Sequence, residues 1–514
     1  MRQSHASERK DCIHSVLALA LSAFNYIMPL PLCRTLPLFT MLIAVLGGCS
    51  SLDQRQGEVM SATTVTVPST WSTSAPELRE NQLTPDQLAS WWRGLGDEQL
   101  TQLIDTALTA APDLRSAQAR LRQARAAHDL AVAELYPTSG ASVGVTRSRT
   151  DTGAGGTGKT RSLYTAGFDA SWEPSIFGRL RDAAEAAEAD VAASAANLNA
   201  TRASLAAEVA VEYVTLRVSQ QRLAIVRANV DSQAETLQIT EWREMAGLTT
   251  YLDVEQARTS LEQSRAALPS LEQARAGAEY RLAVLTGQPP GSLRKPLHAS
   301  RPLPAAPDGI AVGIPADTLR QRPDVHAAEA TLRAEIARTA QSEAERYPTL
   351  NLSGSFGWQA FSLSALDGGN TLVRSLAASL TAPLFDAGRI SSRIARQTAV
   401  QDQAFVAWES SLLTALEDVE NAMTAYAQGR TRLDARRRAA EAAANAAELA
   451  RTQYQAGLVD FQSVLDTQRT QLSAQDNQAS AEADVLTAVI QLYKALGGGW
   501  TSTANTVTTE PSRS

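Results

Sequence analysis

Four stretches of the chain, each about ten residues long, alternate apolar side chains with small or polar ones: 138–149, 163–174, 349–359 and 372–382. In the second stretch, Tyr164, Ala166 and Phe168 occupy alternate positions, with threonine and glycine between them. A period of two is that of a β-strand, and alternating stretches of this length are typical of strands that cross a membrane. A half-buried strand in a soluble sandwich has the same pattern, so alternation alone leaves both interpretations open.

Each pair of strands is followed by a long helical stretch and a shorter return helix. The predicted pairs are 178–245 with 250–286 and 388–455 with 459–496. The two long stretches hold 68 residues each, which corresponds to roughly 100 Å of α-helix. Each long stretch ends just before a glycine, Gly247 or Gly457, and glycine commonly follows a helix end. Leu261 and Leu268, seven residues apart in the first return helix, indicate a coiled-coil contact.

The same order of elements occurs twice along the chain. Tyr136-Pro137 recurs 211 residues later as Tyr347-Pro348, and Ala246-Gly247-Leu248 recurs 210 residues later as Ala456-Gly457-Leu458. An offset that changes by one residue over such a distance indicates a tandem duplication. Each copy has a helix that ends at Tyr-Pro, where proline stops the helix, then two strands, a long helix and a return helix.

Composition and motif spacing give no sign of catalysis or of nucleic-acid binding. The formal net charge is −7, whereas a nucleic-acid-binding protein would carry a basic surface. The five histidines are scattered without catalytic or metal-ligand spacing, so we expect neither an enzyme nor a bound cofactor or metal. Residues 153–160 match the phosphate-binding loop pattern letter by letter. That loop needs a helix directly after it, and 163–174 alternates as a strand, so an external loop of a strand hairpin is the favoured interpretation.

The N-terminal region has the features of an export signal. An apolar run ends in Leu46-Gly47-Gly48-Cys49, which resembles the lipobox of bacterial lipoproteins, in which the cysteine becomes the acylated first residue. We therefore expect a signal peptide at 1–48 and a lipid on Cys49, with Met28 as an alternative start. Ser50 follows, where aspartate usually marks inner-membrane retention in that family. An ordinary signal peptide with an incidental cysteine is the alternative interpretation.

Four strands per chain have to be completed by other chains. Beyond the N-terminal region no apolar run approaches the ~18 residues of a membrane-spanning helix, and an open sheet edge in lipid leaves backbone groups unpaired. Two chains give eight strands, whose interior is filled by side chains. Three chains give twelve, the smallest symmetric closure that leaves a pore. The sequence thus predicts an α+β membrane protein, a trimeric transmembrane β-barrel continuous with a long α-helical coiled-coil tunnel and built from a tandem repeat.

The duplicated order, the Tyr-Pro strand starts, the paired Ala-Gly-Leu turns and the lipobox together resemble the outer membrane factors of TolC/NodT type, lipoproteins of tripartite efflux systems. The resemblance extends from Trp91-Trp92 to Gly497. It implies a homotrimer in the outer membrane, with twelve helices extending into the periplasm. The implied partners are a periplasmic adaptor protein, an inner-membrane pump of the proton-driven RND class, and outer membrane lipids.

The same resemblance implies a passive channel for exported small molecules, including drugs, with no cofactor and no chemistry of its own. Two alternatives stay open at this point. One is a lipid-anchored periplasmic coiled-coil scaffold without a pore. The other is a diffusion porin, which the abundance of predicted helix disfavours.

The resemblance divides the chain as follows: signal peptide 1–48, N-terminal anchor and equatorial segment 49–110, first outer membrane efflux repeat 111–286, equatorial connector 287–320, second repeat 321–497 and flexible tail 498–514. Glycine lets a long helix reverse and leaves the next leucine exposed. The turn residues expected to contact the adaptor are Gly247, Leu248, Gly457 and Leu458. In the family, the stretch before the second turn lines a closed periplasmic gate. The candidate gate residues are Glu448, Arg451 and Tyr454, for which plain coiled-coil surface is the alternative.

Overall fold

The computed structural model describes residues 57, 59, 61, 63, 65–73, 78–79, 84–150, 159–307, 309–365 and 371–500. The predicted signal peptide, Cys49 and the part of the tail beyond residue 500 lie outside the described residues. The chain divides into two units, Met1–Val59 and Met60–Ser514. Every element described below belongs to the second unit.

Two short helices and a two-residue strand precede the first repeat. They are β1 (Leu78–Arg79), α1 (Pro85–Ala89) and α2 (Glu98–Ala110). Thr84 and Gln87 cap α1 reciprocally, and the carboxylate of Asp97 caps α2 by accepting hydrogen bonds from two backbone N–H groups. Between the helices, Trp91–Leu95 forms a 3-10 turn whose two tryptophans are buried.

The two repeats contain the same elements in the same order. The first repeat comprises α3 (Pro112–Ala133), β2 (Thr138–Thr150), β3 (Lys159–Trp172), α4 (Arg179–Met245) and α5 (Tyr251–Leu285). The connector comprises β4 (Ile310–Ala311), which pairs in parallel with β1, and α6 (Pro315–Gln321). The second repeat comprises α7 (Pro323–Ala344), β5 (Thr349–Ala360), β6 (Leu372–Thr381), α8 (Arg389–Gln455) and α9 (Phe461–Ala495). The long helices α4 and α8 have 67 residues each.

The helices pack as two hairpins that contact each other along α4 and α9. The first hairpin is α4 with α5, and the second hairpin is α8 with α9. The main core contains residues of α2, α4, α8 and α9. At this core, Trp91 of the 3-10 turn stacks on Tyr493 of α9 with ring centroids 5.4 Å apart. Tyr213 donates a hydrogen bond of 2.6 Å to Asp97, and burial together with this bond raises the pKa of Tyr213 to about 12. Arg217, one turn further along α4, is fully buried and donates hydrogen bonds to its neighbours.

The strands β2, β3, β5 and β6 form one antiparallel sheet in that order, so β2 and β6 are its edge strands. Phe168 of β3 lies opposite Ala141 of β2 and opposite Phe356 of β5. Because ladder partners share a face, one face carries most of the apolar side chains of the four strands, and the other carries mainly small and polar ones. The predicted start of β3 at residue 163 is wrong. Lys159–Ser162 also pair with β2, although they have no apolar alternation.

Candidate functional site

The first tip is the turn between α4 and α5. Gly247 has a φ of 71°, a left-handed conformation that glycine adopts without steric cost. The N–H of Leu248 donates a hydrogen bond of 2.8 Å to the carbonyl oxygen of Arg243, which closes the end of α4. Thr250 and Asp253 cap α5 reciprocally, and the hydrogen bonds that Asp253 accepts outweigh its burial and lower its pKa. The side chain of Leu248 is left 67% exposed.

The second tip, between α8 and α9, has the same construction. Gly457 has a φ of 76°, and the N–H of Leu458 donates a hydrogen bond of 2.9 Å to the carbonyl oxygen of Gln453. Asp460 caps α9 by accepting from Ser463, and these bonds lower the pKa of Asp460. Leu458 is 75% exposed. All four residues predicted for the tips therefore lie in the two turns, with both leucines open to a partner.

The two tips differ in the residues around the turn. Four exposed apolar side chains surround the first tip: Trp242, Met245, Tyr251 and Leu252. The repeat offset of 210 places Thr452, Gln455, Phe461 and Gln462 at the corresponding positions of the second tip. Of these only Phe461 is apolar, and it is buried. The first tip thus presents the larger apolar surface.

Tyr454 lies inside the chain, with only 5% of its surface exposed. Its ring contacts Phe461 at a centroid distance of 5.6 Å, and the guanidinium carbon of Arg243 lies 4.5 Å from its centroid. Nη1 of Arg243 also donates a hydrogen bond of 2.8 Å to the backbone carbonyl of Tyr454. The ring of Tyr454 thus packs between the two hairpins and not on an open surface of the chain.

Glu448 and Arg451 lie on the surface of α8, one helical turn apart. Arg451 Nη1 is 3.3 Å from a carboxylate oxygen of Glu235 on α4, and Arg451 Nε is 3.9 Å from Glu448. This contact also joins the first hairpin to the second. Sequence reasoning missed Arg243, because its contact with a residue 211 positions away has no local signal in the sequence.

The described residues show no cofactor site of the kinds considered above. No group of three or more His, Cys, Asp or Glu side chains among them could hold a metal ion. Lys159 and Thr160, the last residues of the phosphate-loop pattern, lie in β3, where that loop would require a helix. In the described part of the chain, no helix is both long enough and apolar enough to span a membrane.

Comparison with known proteins identifies the family. Residues 103–288 and 314–498 match the outer membrane efflux protein family, and the chain belongs to that family. It is 32% identical over 467 residues to the pyoverdine export outer membrane protein OpmQ of Pseudomonas aeruginosa, a match that covers 89% of this chain and 95% of that protein. It is 29% identical over 350 residues to nodulation protein T of Rhizobium leguminosarum bv. trifolii, covering 67% of this chain and 74% of that protein.

A solved structure shows the same fold. The outer-membrane channel OprN matches with a TM-score of 0.79 and 32% identity, over 86% of this chain and 100% of that chain. The chain is an outer-membrane channel protein of an efflux system. The family, the channel fold, the efflux function and the outer-membrane location predicted from the sequence are thereby confirmed. The scaffold without a pore finds no support among these relatives.

Proposed function

We propose that three copies of this chain form a passive channel that carries small molecules across the periplasm and the outer membrane for a tripartite efflux pump. The observation that carries this proposal is the four-stranded sheet, whose edge strands β2 and β6 have no partner strand within the described chain. Lipid cannot satisfy the backbone groups of such edges. Three chains pair every edge and give twelve strands, which leave a pore.

The long helices extend this pore on one side of the membrane. Each pair of strands returns to the end from which it started, so α4 and α8 both begin at the same end of the sheet. Their 67 residues correspond to about 100 Å, which crosses much of the periplasm. The channel itself does no chemistry, and the inner-membrane pump supplies the energy.

The tips are the surface for the periplasmic adaptor. Three chains place six turns, each with an exposed leucine, at the end of the helices farthest from the sheet. Repeated exposed apolar groups at such an end mark a partner surface. Gly247, Leu248, Gly457 and Leu458 make this contact.

The gate lies just inside the tips. The contacts Arg243–Tyr454 and Arg451–Glu235 both hold the second hairpin against the first. In a trimer, Glu448 and Arg451 recur three times around the axis, and charged rings of this kind narrow and select a pore. Opening requires the hairpins to separate, which breaks both contacts.

The N-terminal segment is long enough to anchor the protein through a lipid on Cys49. Ser72 and Thr73 donate backbone hydrogen bonds to Glu420, and Thr63 donates to Glu409, so the segment follows α8 toward the sheet as residue numbers fall. Glu409 is 20 residues into α8, or about 30 Å from its start. The 14 residue-to-residue steps from Cys49 to Thr63 reach up to about 46–50 Å when extended, which is enough to bring the cysteine to the membrane surface.

The trimeric channel is tested by electrophoresis and by conductance. Purified protein should migrate as a trimer that dissociates only on boiling, and it should conduct ions in planar lipid bilayers. A trimer without conductance would favour the coiled-coil scaffold instead. Conductance by a monomer would contradict the sharing of strands between chains.

A further inference from the structure

The apolar face of the sheet carries a small set of arginines. Alternate residues of each strand share this face, and its ladder partners include Val145 with Tyr164 and Leu376 with Gly354. Within the four described strands, the only charged residues on this face are Arg147, Arg149 and Arg374. Its other side chains are aliphatic, aromatic or small. Among the residues of the four described strands, this face holds no carboxylate beside Arg147 or Arg374, so it combines an apolar surface with positive charge.

All three arginines lie toward the end of the sheet that is remote from the long helices. Arg147 and Arg149 are among the last residues of β2 before its connection to β3, and Arg374 is the third residue of β6. The helices join the strands at the opposite end, next to Thr138 and Thr381. If the helices extend into the periplasm, the arginines lie at the outer leaflet of the membrane.

Arg147 and Arg374 have exposed side chains, and neither has a hydrogen bond or ion pair with any described residue. Arg374 lies opposite Phe356, with Leu372 and Leu376 on either side of it along the same face. An arginine in such surroundings lays its carbon stem on the apolar surface and extends its guanidinium to the polar interface. An anionic group at that height binds the guanidinium more strongly than a neutral acceptor does, because both partners are charged.

The three arginines all lie on the two edge strands of the sheet. Arg374 is on edge strand β6, and Arg147 and Arg149 are on edge strand β2. In the trimer proposed above, β6 of one protomer pairs with β2 of the next. Each junction between protomers then has arginines from both chains on its lipid-facing side. Like charges on adjacent strands repel each other, and an anion bound between them removes that repulsion.

We propose that each junction binds the phosphate groups of an anionic lipid of the outer leaflet, with its acyl chains on the apolar face. This proposal rests on the proposed trimeric outer-membrane channel. The charge matches, because guanidinium groups form paired hydrogen bonds with phosphate. The neighbouring leucine and aromatic side chains provide a surface for acyl chains, which a free phosphate ion would not use.

The test uses purified trimers of the full chain and vesicles of phosphatidylcholine that contain lipid A, a phosphorylated glycolipid. The variants are Arg147→Gln, Arg374→Gln and their combination. The matched control is Arg161→Gln, at the same end of the sheet but on the opposite face. We expect Arg147→Gln and Arg374→Gln each to lower the amount of lipid A bound per trimer by roughly five-fold, which is the effect of one basic group near an anionic lipid surface. The Arg161→Gln control should bind as much lipid A as the parent does.

Four outcomes would overturn the proposal. They are unchanged lipid A binding by the double variant, equal loss in Arg161→Gln, equal binding of dephosphorylated lipid A, and full competition by inorganic phosphate, which would indicate a site for the free ion. Trimer migration and bilayer conductance are measured on the same samples. A variant that still forms conducting trimers but loses lipid A supports this inference separately from the channel function. Absence of conductance in the parent protein would contradict the proposed function itself.

Discussion

Arg243 and Tyr454 join the two helical hairpins of the chain through a single arginine side chain. The guanidinium carbon of Arg243 lies 4.5 Å from the ring centroid of Tyr454, and Nη1 donates a hydrogen bond of 2.8 Å to the Tyr454 carbonyl oxygen. The hydroxyl of Tyr454 is buried and has no hydrogen-bond partner among the described residues. Packing against Arg243 and Phe461 therefore positions the ring. Any separation of the hairpins near their tips must break this contact.

We expect Arg243→Met to open the proposed gate. Methionine keeps an apolar side chain of similar length but loses the hydrogen bond and the cation–π contact, together about 2 kcal/mol. That change shifts the ratio of closed to open channels roughly 30-fold. The measurement is single-channel conductance in planar bilayers, which should rise, together with increased sensitivity of cells to large antibiotics.

Arg227→Met is the matched control for this variant. Arg227 is on the same helix, α4, but its ion pair at 3.0 Å is with Glu272 of α5, inside the first hairpin. The Arg227→Met substitution should leave single-channel conductance unchanged. Parental conductance in Arg243→Met would place the gate elsewhere on the helices.

The two faces of the sheet should respond differently to charge. Phe168 lies on the apolar face and Ser171 on the opposite face. An arginine in place of Phe168, facing lipid near the midplane, should cost about 2–4 kcal/mol and reduce the yield of heat-resistant trimers. Ser171→Arg, facing the water-filled interior, should assemble normally. Trp358→Arg and Ser355→Arg form the equivalent pair in the second repeat, and equal damage from the serine variants would show that the faces are reversed.

Arg322 should be a major stabilising residue of the second repeat. It is almost fully buried and donates hydrogen bonds to Asp324 at 2.6 Å, to Asp418 at 2.9 Å and to the carbonyl oxygen of Ala495 at 3.1 Å. We expect Arg322→Met to destabilise the protein by about 2–3 kcal/mol, the contribution of hydrogen bonds to a charged group, as measured by guanidinium-induced unfolding. Arg320→Met, an exposed position with a 3.8 Å pair to Asp317, is the control.

The same contact predicts an effect of pH. Burial alone would raise the pKa of Asp324, but the hydrogen bonds and charge of Arg322 outweigh it and hold the pKa below the ordinary value of 3.8. A carboxyl whose pKa is lowered by folding stabilises the protein above its unfolded pKa and loses that contribution as pH falls. The parent should therefore lose stability more steeply than Arg322→Met below a pH of about 4. If the free energy of unfolding fell equally with pH in the parent and in Arg322→Met, the Arg322–Asp324 pair would contribute nothing to the pH dependence of stability.

The regular elements could be predicted because their signals are local. Strand alternation and helical periodicity, which occur in both repeats, predict the four strands and the four hairpin helices to within a few residues. The start of β3 could not be located in this way. Lys159 and Arg161 lie on one face and Thr160 and Ser162 on the other, so no apolar pattern distinguishes this segment from a loop. Backbone pairing with the end of β2 determines the strand there.

The candidate sites also differ in whether they have a local signal in the sequence. The tips could be predicted, because glycine and the leucine after it occur together in the sequence. The arrangement of Arg243, Tyr454 and Arg451 depends on how the first hairpin packs against the second. The helical pattern of the sequence does not specify which residue of α4 meets which residue of α8. The burial of Tyr454 follows from that packing and has no separate signal in the sequence.

Cys49 should be the acylated first residue of the mature protein. Mass spectrometry of protein isolated from membranes should find Cys49 with its lipid and nothing before it. Cys49→Ala should lack the lipid yet remain in the outer membrane, because the sheet also holds the chain there. An unmodified cysteine preceded by upstream residues would contradict both the lipid anchor and the predicted end of the signal peptide.

The tip contact is best tested at the leucines, since the glycines are constrained by their backbone. Gly457 has open space around it, but its positive φ means that any other residue strains the turn by about 1–2 kcal/mol. A Gly457→Trp variant would therefore change the turn as well as the surface.

Leu248→Asn and Leu458→Asn change only the exposed surface of each tip. Burying a leucine against a partner contributes about 1.5–3 kcal/mol, so each substitution should weaken capture of the adaptor at least roughly ten-fold and reduce drug export in cells that carry the adaptor and pump. Leu248→Asn should have the larger effect, because Trp242 and Tyr251 beside it are also exposed and extend the same apolar surface. Leu130→Asn, an exposed leucine on α3 far from the tips, controls for a general effect of asparagine. Trimers of both tip variants that remain in the outer membrane and still capture the adaptor as the parent does would show that the tips are not the docking surface.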